Sequence, residues 1–189
     1  MSQISLVGAG PGPLELLTLR ALHRIEAAEV VVYDRLVAGE ILARIPQGAP
    51  RFDVGKRCGE PSHTQEEINA LLLALARTGK RVVRLKGGDP LVFGRGGEEA
   101  LHLARHGIEA ELVPGITAAL GCAASTLIPL THRGLARSLT LVTGHLMDEG
   151  DYRGWQGLTR AGHTLVFYMG LERAAQIRQG LLAAGASGD

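Results

Sequence analysis

The sequence predicts an α/β fold built on a parallel sheet, followed by a second, smaller α/β unit. Three observations carry that prediction. Short apolar runs alternate with segments of helical period along the chain, the pattern of β-α-β-α units. The runs are apolar on successive rather than alternate positions, as strands buried on both faces are. Glycine-rich turns follow two of them, Gly8-Ala9-Gly10-Pro11-Gly12 and Gly87-Gly88-Asp89-Pro90, at the strand ends where open α/β sheets take their ligands.

The elements follow in order. Residues 4–7 read as a strand and 15–28 as an amphipathic helix. A second strand spans 30–33, a short helix 36–45, and a short third strand 52–54. The helix over 65–77 has the clearest start signal, because Thr64 can cap it and Glu67, three residues on, completes a capping box. Gly79 ends it, and 81–85 form the next strand. A helix over 97–106 stops at Gly107, and 111–113 form a further strand.

Pro114-Gly115 reads as the domain boundary, giving an N-terminal domain over 1–114 and a C-terminal one over 115–189. The second domain holds a small-residue helix (116–125), a strand (139–143), a polar loop (147–157), a strand (164–169) and a helix (171–184). Two strands are too few to close a sheet. The sequence ends at Gly188-Asp189, where another strand is expected, so this domain reads as incomplete.

Composition bounds the function. The chain is 46% hydrophobic and 21% charged, as ordinary globular proteins are. Its formal net charge of +1 carries no chain-wide nucleic-acid footprint, and no nucleic-acid partner is expected. No apolar run approaches a membrane span, and no basic stretch followed by an apolar one opens the chain. Neither a membrane nor a secretory signal is therefore expected, and a cytoplasmic location is. Cys58 and Cys122 are far apart and lack metal-ligand spacing, so reduced thiols and no metal are expected.

The most informative stretch runs from Arg84 to Glu99, RLKGGDPLVFGRGGEE. Gly87, Gly88, Gly94 and Gly96 allow close approach of a ligand to the main chain. Ordinary strand-to-helix loops of about 2–6 residues need no such glycine density. The first turn tempts toward a dinucleotide fold, with Asp34 as the ribose-binding acid. The G-x-G-x-x-G template needs glycine at position 13, however, where Pro13 stands. Pro11 and Pro13 suggest instead a rigid turn that exposes carbonyls.

Asp34-Arg35 and Gly55-Lys56-Arg57 also stand at strand ends on that rim. Asp34 and Lys56 facing one cleft would handle protons as base and acid; the spacing equally allows a surface ion pair. Arg35, Lys56, Arg57 and Arg95, with Thr131-His132-Arg133, Arg137 and His145, describe a basic rim suited to a polyanionic small molecule.

The ordered set VGAGPG, VVYDRLV, VGKRCG, QEEIN, VVRLKGGDPLVFGRGGEE, VPGITAALGCAA, IPLTHRG, LVTGH and LVFYMGL resembles the tetrapyrrole methylase family, the class III methyltransferases. Within it the chain resembles most the branch that methylates uroporphyrinogen III. The resemblance spans about 4–184 in order and with compatible spacing. It implies a two-domain α/β fold, S-adenosylmethionine as cofactor, and a tetrapyrrole substrate methylated twice on carbon to precorrin-2. A homodimer is the expected assembly.

Residue by residue, Pro11, Gly87, Gly88, Asp89, Val92, Thr117, Ala118 and Met169 match cofactor-contacting positions. Asp34 and Lys56 match the proton acceptor and donor, and Arg95 the position tied to assisting deprotonation. Arg95, Glu98 and Arg133 match substrate positions, and Arg35 joins them from the basic rim. A guanidinium is a poor base because it stays protonated. Arg95 is therefore expected to clamp a carboxylate and Asp34 to handle the proton. Two departures stand out: family members commonly carry Asp after GAGPG, where this chain has Pro13-Leu14, and they continue beyond the position of Asp189.

Overall fold

The computed structural model describes residues 4–55, 63–144, 155–159 and 161–188. Lys56, Arg57, Cys58, His145 and most of the 147–157 loop lie outside the described residues.

Five strands, β1 (Ile4–Gly8), β2 (Val30–Tyr33), β3 (Arg51–Asp53), β4 (Val82–Lys86) and β5 (Ala110–Val113), form one sheet in the order β3-β2-β4-β1-β5. Every pairing is parallel, with Ile4 opposite Val82 and Ala110, and Val30 also opposite Val82. The helices of this unit are α1 (Leu19–Glu26), α2 (Gly39–Leu42), α3 (Gln65–Ala76) and α4 (Gly96–Arg105).

Strand alternation divides the core between two faces. Val7, Val31, Val83, Leu85 and Val113 pack on one side with Ala21 and Ile25 of α1 and Ile41 of α2. Ile4, Val30, Val32 and Val82 pack on the other with Ile68 and Leu72 of α3 and Leu103 of α4. The expectation of a parallel sheet with helices on both faces holds.

The order of strands also locates a crevice. From β2 the chain crosses to β3 on one side, and from its neighbour β4 it crosses to β5 on the other. The C-terminal ends of the adjacent strands β2 and β4 thus form the switch point at which doubly wound sheets bind ligands, with the ends of β1 and β5 beside them.

Three helices differ from expectation. The helix expected over 15–28 is a 3-10 turn, Leu14–Leu16, followed by α1, because Thr18 is extended and its hydroxyl accepts the Ala21 amide at 3.2 Å as an N-cap. The helix expected over 36–45 is helical only across α2. The one expected over 171–184 begins as a 3-10 turn, Leu171–Arg173, and continues as α6 (Ala174–Ala183). The capping box on α3 is present as read, with Thr64 accepting from the Glu67 amide at 3.2 Å and Glu67 from the Thr64 amide at 2.8 Å.

The chain divides into two compact units, Met1–Gly121 and Cys122–Asp189. The division falls inside α5 (Ala118–Thr126) rather than at Pro114-Gly115, since Gly115 is locked against the ends of β1 and β4 and stays with the first unit. The second unit carries β6 (Ser138–Thr143) paired in parallel with β7 (His163–Tyr168), and α6. Trp155 is buried, its ring centre 5.2 Å from that of Phe167 of β7 with the two planes tilted by 40°. Among the described residues no helix is long and apolar enough to cross a membrane, and no group of three His, Cys, Asp or Glu stands together as a metal would need.

Candidate functional site

Three strand ends meet through glycine. A Cβ on Gly115 would lie 2.2 Å from the Gly88 carbonyl oxygen and 2.8 Å from the Gly8 Cα, and one on Gly8 would lie 2.5 Å from the Gly115 nitrogen. The loops after β1 and β4 are then tied by a two-bond bridge: the Gly88 amide donates to the Gly10 carbonyl at 2.8 Å, and the Gly10 amide to the Gly88 carbonyl at 3.1 Å. Gly10 and Gly88 both adopt positive φ, +69° and +66°, where glycine meets no Cβ penalty. The exposed carbonyls expected of the first turn are, at Gly10, spent on this bridge.

Around that junction stand Pro11, Thr117 and Ala118. Pro11 packs on Gly121 of α5, where a Cβ would come within 2.5 Å of its ring. The Thr117 Cα and Ala118 nitrogen lie 3.9 and 3.8 Å from where a Gly88 Cβ would be. Asp89 bridges strands: Oδ2 accepts the Gly115 amide at 3.0 Å and Oδ1 the Leu91 amide at 2.8 Å. Val92 lies in the next turn, its amide donating to the Asp89 carbonyl at 3.4 Å. The first unit therefore brings together seven of the eight expected cofactor positions: Pro11, Gly87, Gly88, Asp89, Val92, Thr117 and Ala118. Met169 belongs to the second unit, directly after β7, with φ +54° and an exposed side chain.

The loop after β2 leans on the same rim. Cβ atoms on Gly87 and Gly55 would come within 2.6 Å of Leu36 and Arg35 respectively, so residues 34–36 are wedged between the ends of β3 and β4. Asp34 Oδ1 accepts the Leu36 amide at 3.2 Å and the Gly87 amide at 3.4 Å. Lys56, the expected proton donor, follows Gly55 but lies outside the described residues.

The loop from Asp89 to α4 is folded back on itself. The Gly96 amide donates to the Pro90 carbonyl at 2.8 Å, and Phe93 and Arg95 both take left-handed angles, φ +52° and +57°. Such angles are costly for side-chain-bearing residues and gather at functional sites. Arg95 grips Glu98 with both arms of its fork, at 2.9 and 2.7 Å, on the surface. That hydrogen bond raises the Arg95 pKa and lowers that of Glu98. Exposed pairs of this kind hold by about 0–1 kcal/mol, so an incoming carboxylate can compete for the guanidinium. Arg133 lies in the second unit, exposed, beside the His132–Ala136 bridge.

Sequence reading missed the buried charges beneath this rim. Arg84 and Lys86 alternate with core positions of β4 on the α3–α4 face, and Glu99 of α4 is fully buried against them. Burial holds the Lys86 ammonium below its usual value, aided by Arg84 and opposed by Glu99 and Asp34. Helical spacing held the signal for Glu99, since buried Gly96, Glu99 and Leu103 recur on one face of α4.

Comparison with known proteins agrees with this geometry. The family described as Tetrapyrrole (Corrin/Porphyrin) Methylases matches residues 3–189. A siroheme synthase of Edwardsiella ictaluri (strain 93-146) is 56% identical over 183 residues, covering 97% of this chain and 40% of the relative. The chain thus spans about two fifths of the length of the curated relatives it matches. Among solved structures, the native uroporphyrin III C-methyl transferase from Thermus thermophilus aligns with TM-score 0.82 at 47% identity, covering 97% of this chain and 77% of that one. The same Thermus protein complexed with S-adenyl homocysteine aligns with TM-score 0.81 at 48% identity, with the same coverage. With a family match along nearly its whole length, the chain belongs to the tetrapyrrole methylase family.

Proposed function

We propose that the chain transfers methyl groups from S-adenosylmethionine to carbon atoms of uroporphyrinogen III, two per molecule, giving precorrin-2. The observation that carries this reading is the rim at the ends of β1, β4 and β5, where Gly8, Gly88 and Gly115 bring three backbones into contact and Pro11, Thr117 and Ala118 surround them. The names of the relatives, siroheme synthase and a uroporphyrin III C-methyl transferase bound to S-adenyl homocysteine, support the same substrate and cofactor.

The residues fit the cofactor. A Cβ at Gly12 would meet nothing within 4 Å, and one at Gly88 nothing within 3.8 Å, so the main chain beside the junction is open to close contact. Asp89 is held by two amides, and its remaining lone pairs can accept from a ribose hydroxyl or an ammonium. When bound, S-adenosylmethionine supplies an electrophilic sulfonium methyl group. The chain then has to orient the tetrapyrrole, exclude water and remove a proton.

Arg95 is assigned to a substrate carboxylate, released from Glu98 for that purpose, with Arg35, Glu98 and Arg133 as further substrate contacts. Asp34 is assigned the proton, since its carboxylate is fixed on the rim by two amides. Lys56, next along the chain from Gly55, is assigned as proton donor. Incubating the protein with uroporphyrinogen III and S-adenosylmethionine, then weighing the product, tests the reading. Gain of two methyl groups is expected; an unmodified tetrapyrrole sinks it.

A further inference from the structure

The buried charges beneath the rim have no role in the assignments above. Glu99 Oε1 accepts from three donors: Lys86 Nζ at 2.9 Å, Arg84 Nε at 3.3 Å and Gln65 Nε2 at 3.3 Å. Its other oxygen is buried with no partner among the described residues. Arg84 and Lys86 are 3 and 4% exposed and Glu99 is 0% exposed.

Removing such charges from water is costly, and apolar side chains of similar volume often serve stability as well or better. Packing gives no reason for charge here, because Val82, on the same strand and face, joins the apolar core with Leu103 of the same helix as Glu99.

Arg84 supplies the reason. Its guanidinium spans from the buried Glu99 to the rim, where Nη2 stands 3.7 Å from Asp34 Oδ2, while Nη1 donates to the Leu85 carbonyl at 3.2 Å. Asp34 is therefore held at both oxygens: backbone amides of Leu36 and Gly87 on Oδ1, and a fixed cation on Oδ2. The arm carrying that cation cannot swing away, because Glu99 grips it from below. A planar fork with several donors suits this bridging, and an ammonium does not.

We propose that Arg84, anchored by Glu99, is a positioning residue that fixes the Asp34 carboxylate for proton transfer. The proposal rests on the reading of Asp34 as proton acceptor. Arg84 touches no substrate on this account; it acts through Asp34. Glu99 gives the sheet and α4 a shared hub, so the same contact keeps the Arg95 end of α4 in register with the rim.

A double-mutant cycle in the methyl-transfer assay tests this with Asp34→Asn, Arg84→Met and the pair, each checked for folding by circular dichroism. Arg84→Met is expected to lower kcat by about 10- to 100-fold, the scale of misplacing a reacting group. The KM for either substrate should stay within about twofold. In the Asp34→Asn background the same substitution should change kcat by less than about twofold, because the group it serves is gone.

An equal loss in both backgrounds means that Arg84 only supports the scaffold, and overturns the proposal. So does an unchanged kcat in Arg84→Met. If Asp34→Asn alone keeps the parent kcat, or the parent transfers no methyl group, the underlying reading falls and takes the proposal with it. Should Arg84→Met not fold, Arg84→Lys carries the same cycle, since it keeps the charge beside Glu99 and loses the fork that reaches Asp34.

Discussion

Substituting Gly115 by alanine tests the three-strand junction at its tightest point. The new Cβ would lie 2.2 Å from the Gly88 carbonyl oxygen and 2.8–2.9 Å from the Gly8 Cα and carbonyl carbon. Ordinary contact begins near 3.4 Å, so the Gly88 carbonyl must retreat by roughly 1.2 Å. All the atoms involved are backbone, and no side-chain rotation relieves the clash. Retreat of Gly88 also strains the bond that its carbonyl accepts from Gly10.

Overpacking of this kind costs about 1–3 kcal/mol, and a lost backbone hydrogen bond about 1 kcal/mol. The reduced freedom of the unfolded chain returns about 0.4–1 kcal/mol. A net loss of about 2 kcal/mol is therefore expected in urea denaturation. Gly97→Ala is the control: its Cβ would meet nothing within 4 Å, and it lies in the first turn of α4, so stability should hold or rise by up to about 1 kcal/mol. Calorimetry with S-adenosylhomocysteine reads the functional side. A distortion reaching Gly88 should weaken binding at least about tenfold, or about 1.4 kcal/mol. If Gly115→Ala matches the parent in both stability and affinity, the junction as described is wrong.

Three further expectations follow from named contacts. Thr64→Ala removes one half of the capping box on α3 and should cost about 1 kcal/mol in denaturant melts, with Thr64→Ser recovering most of it. Glu111 is held below its usual value of 4.5 by the hydrogen bond and charge of Arg24, helped by Ser5. Because its folded-state pKa is the lower one, its contribution is present above that usual value and is lost as pH falls through the folded one. Acid titration of Glu111→Gln should therefore show a shallower stability loss below about pH 4.5 than the parent does. In steady-state kinetics, Arg95→Lys should mainly raise the KM for the tetrapyrrole and Asp34→Asn mainly lower kcat; equal kcat losses in both would remove the division of roles.

Much of the first unit was legible because its signals are local. Successive apolar residues at 30–33 and the Thr64–Glu67 box specify a strand and a helix start without tertiary help. The break at Thr18 was not legible, since Thr18 lies in a run of helical period and becomes a cap only as the chain turns back along the sheet, where its hydroxyl meets the Pro114 carbonyl at 3.3 Å. The glycine loops announced a ligand rim, but the convergence of Gly8, Gly88 and Gly115 depends on strand order, which a single sequence does not carry.

Glu98 and Glu99 show the same limit at one site. Adjacent and identical in type, they differ in helical phase: Glu98 meets Arg95 in solvent, and Glu99 anchors Arg84 and Lys86 in the core. The family pattern pointed to Glu98. Burial of Glu99 depends on how α4 packs against β4, which no local pattern carries.

S-adenosylmethionine is proposed to sit on the rim formed by the ends of β1, β4 and β5. Hydrogen–deuterium exchange with and without S-adenosylhomocysteine tests it most directly. Slowed exchange is expected in peptides covering 8–17, 87–96 and 114–121, with α1 and α3 unchanged. Unaltered exchange across those three segments, or protection confined to other parts of the chain, would contradict it.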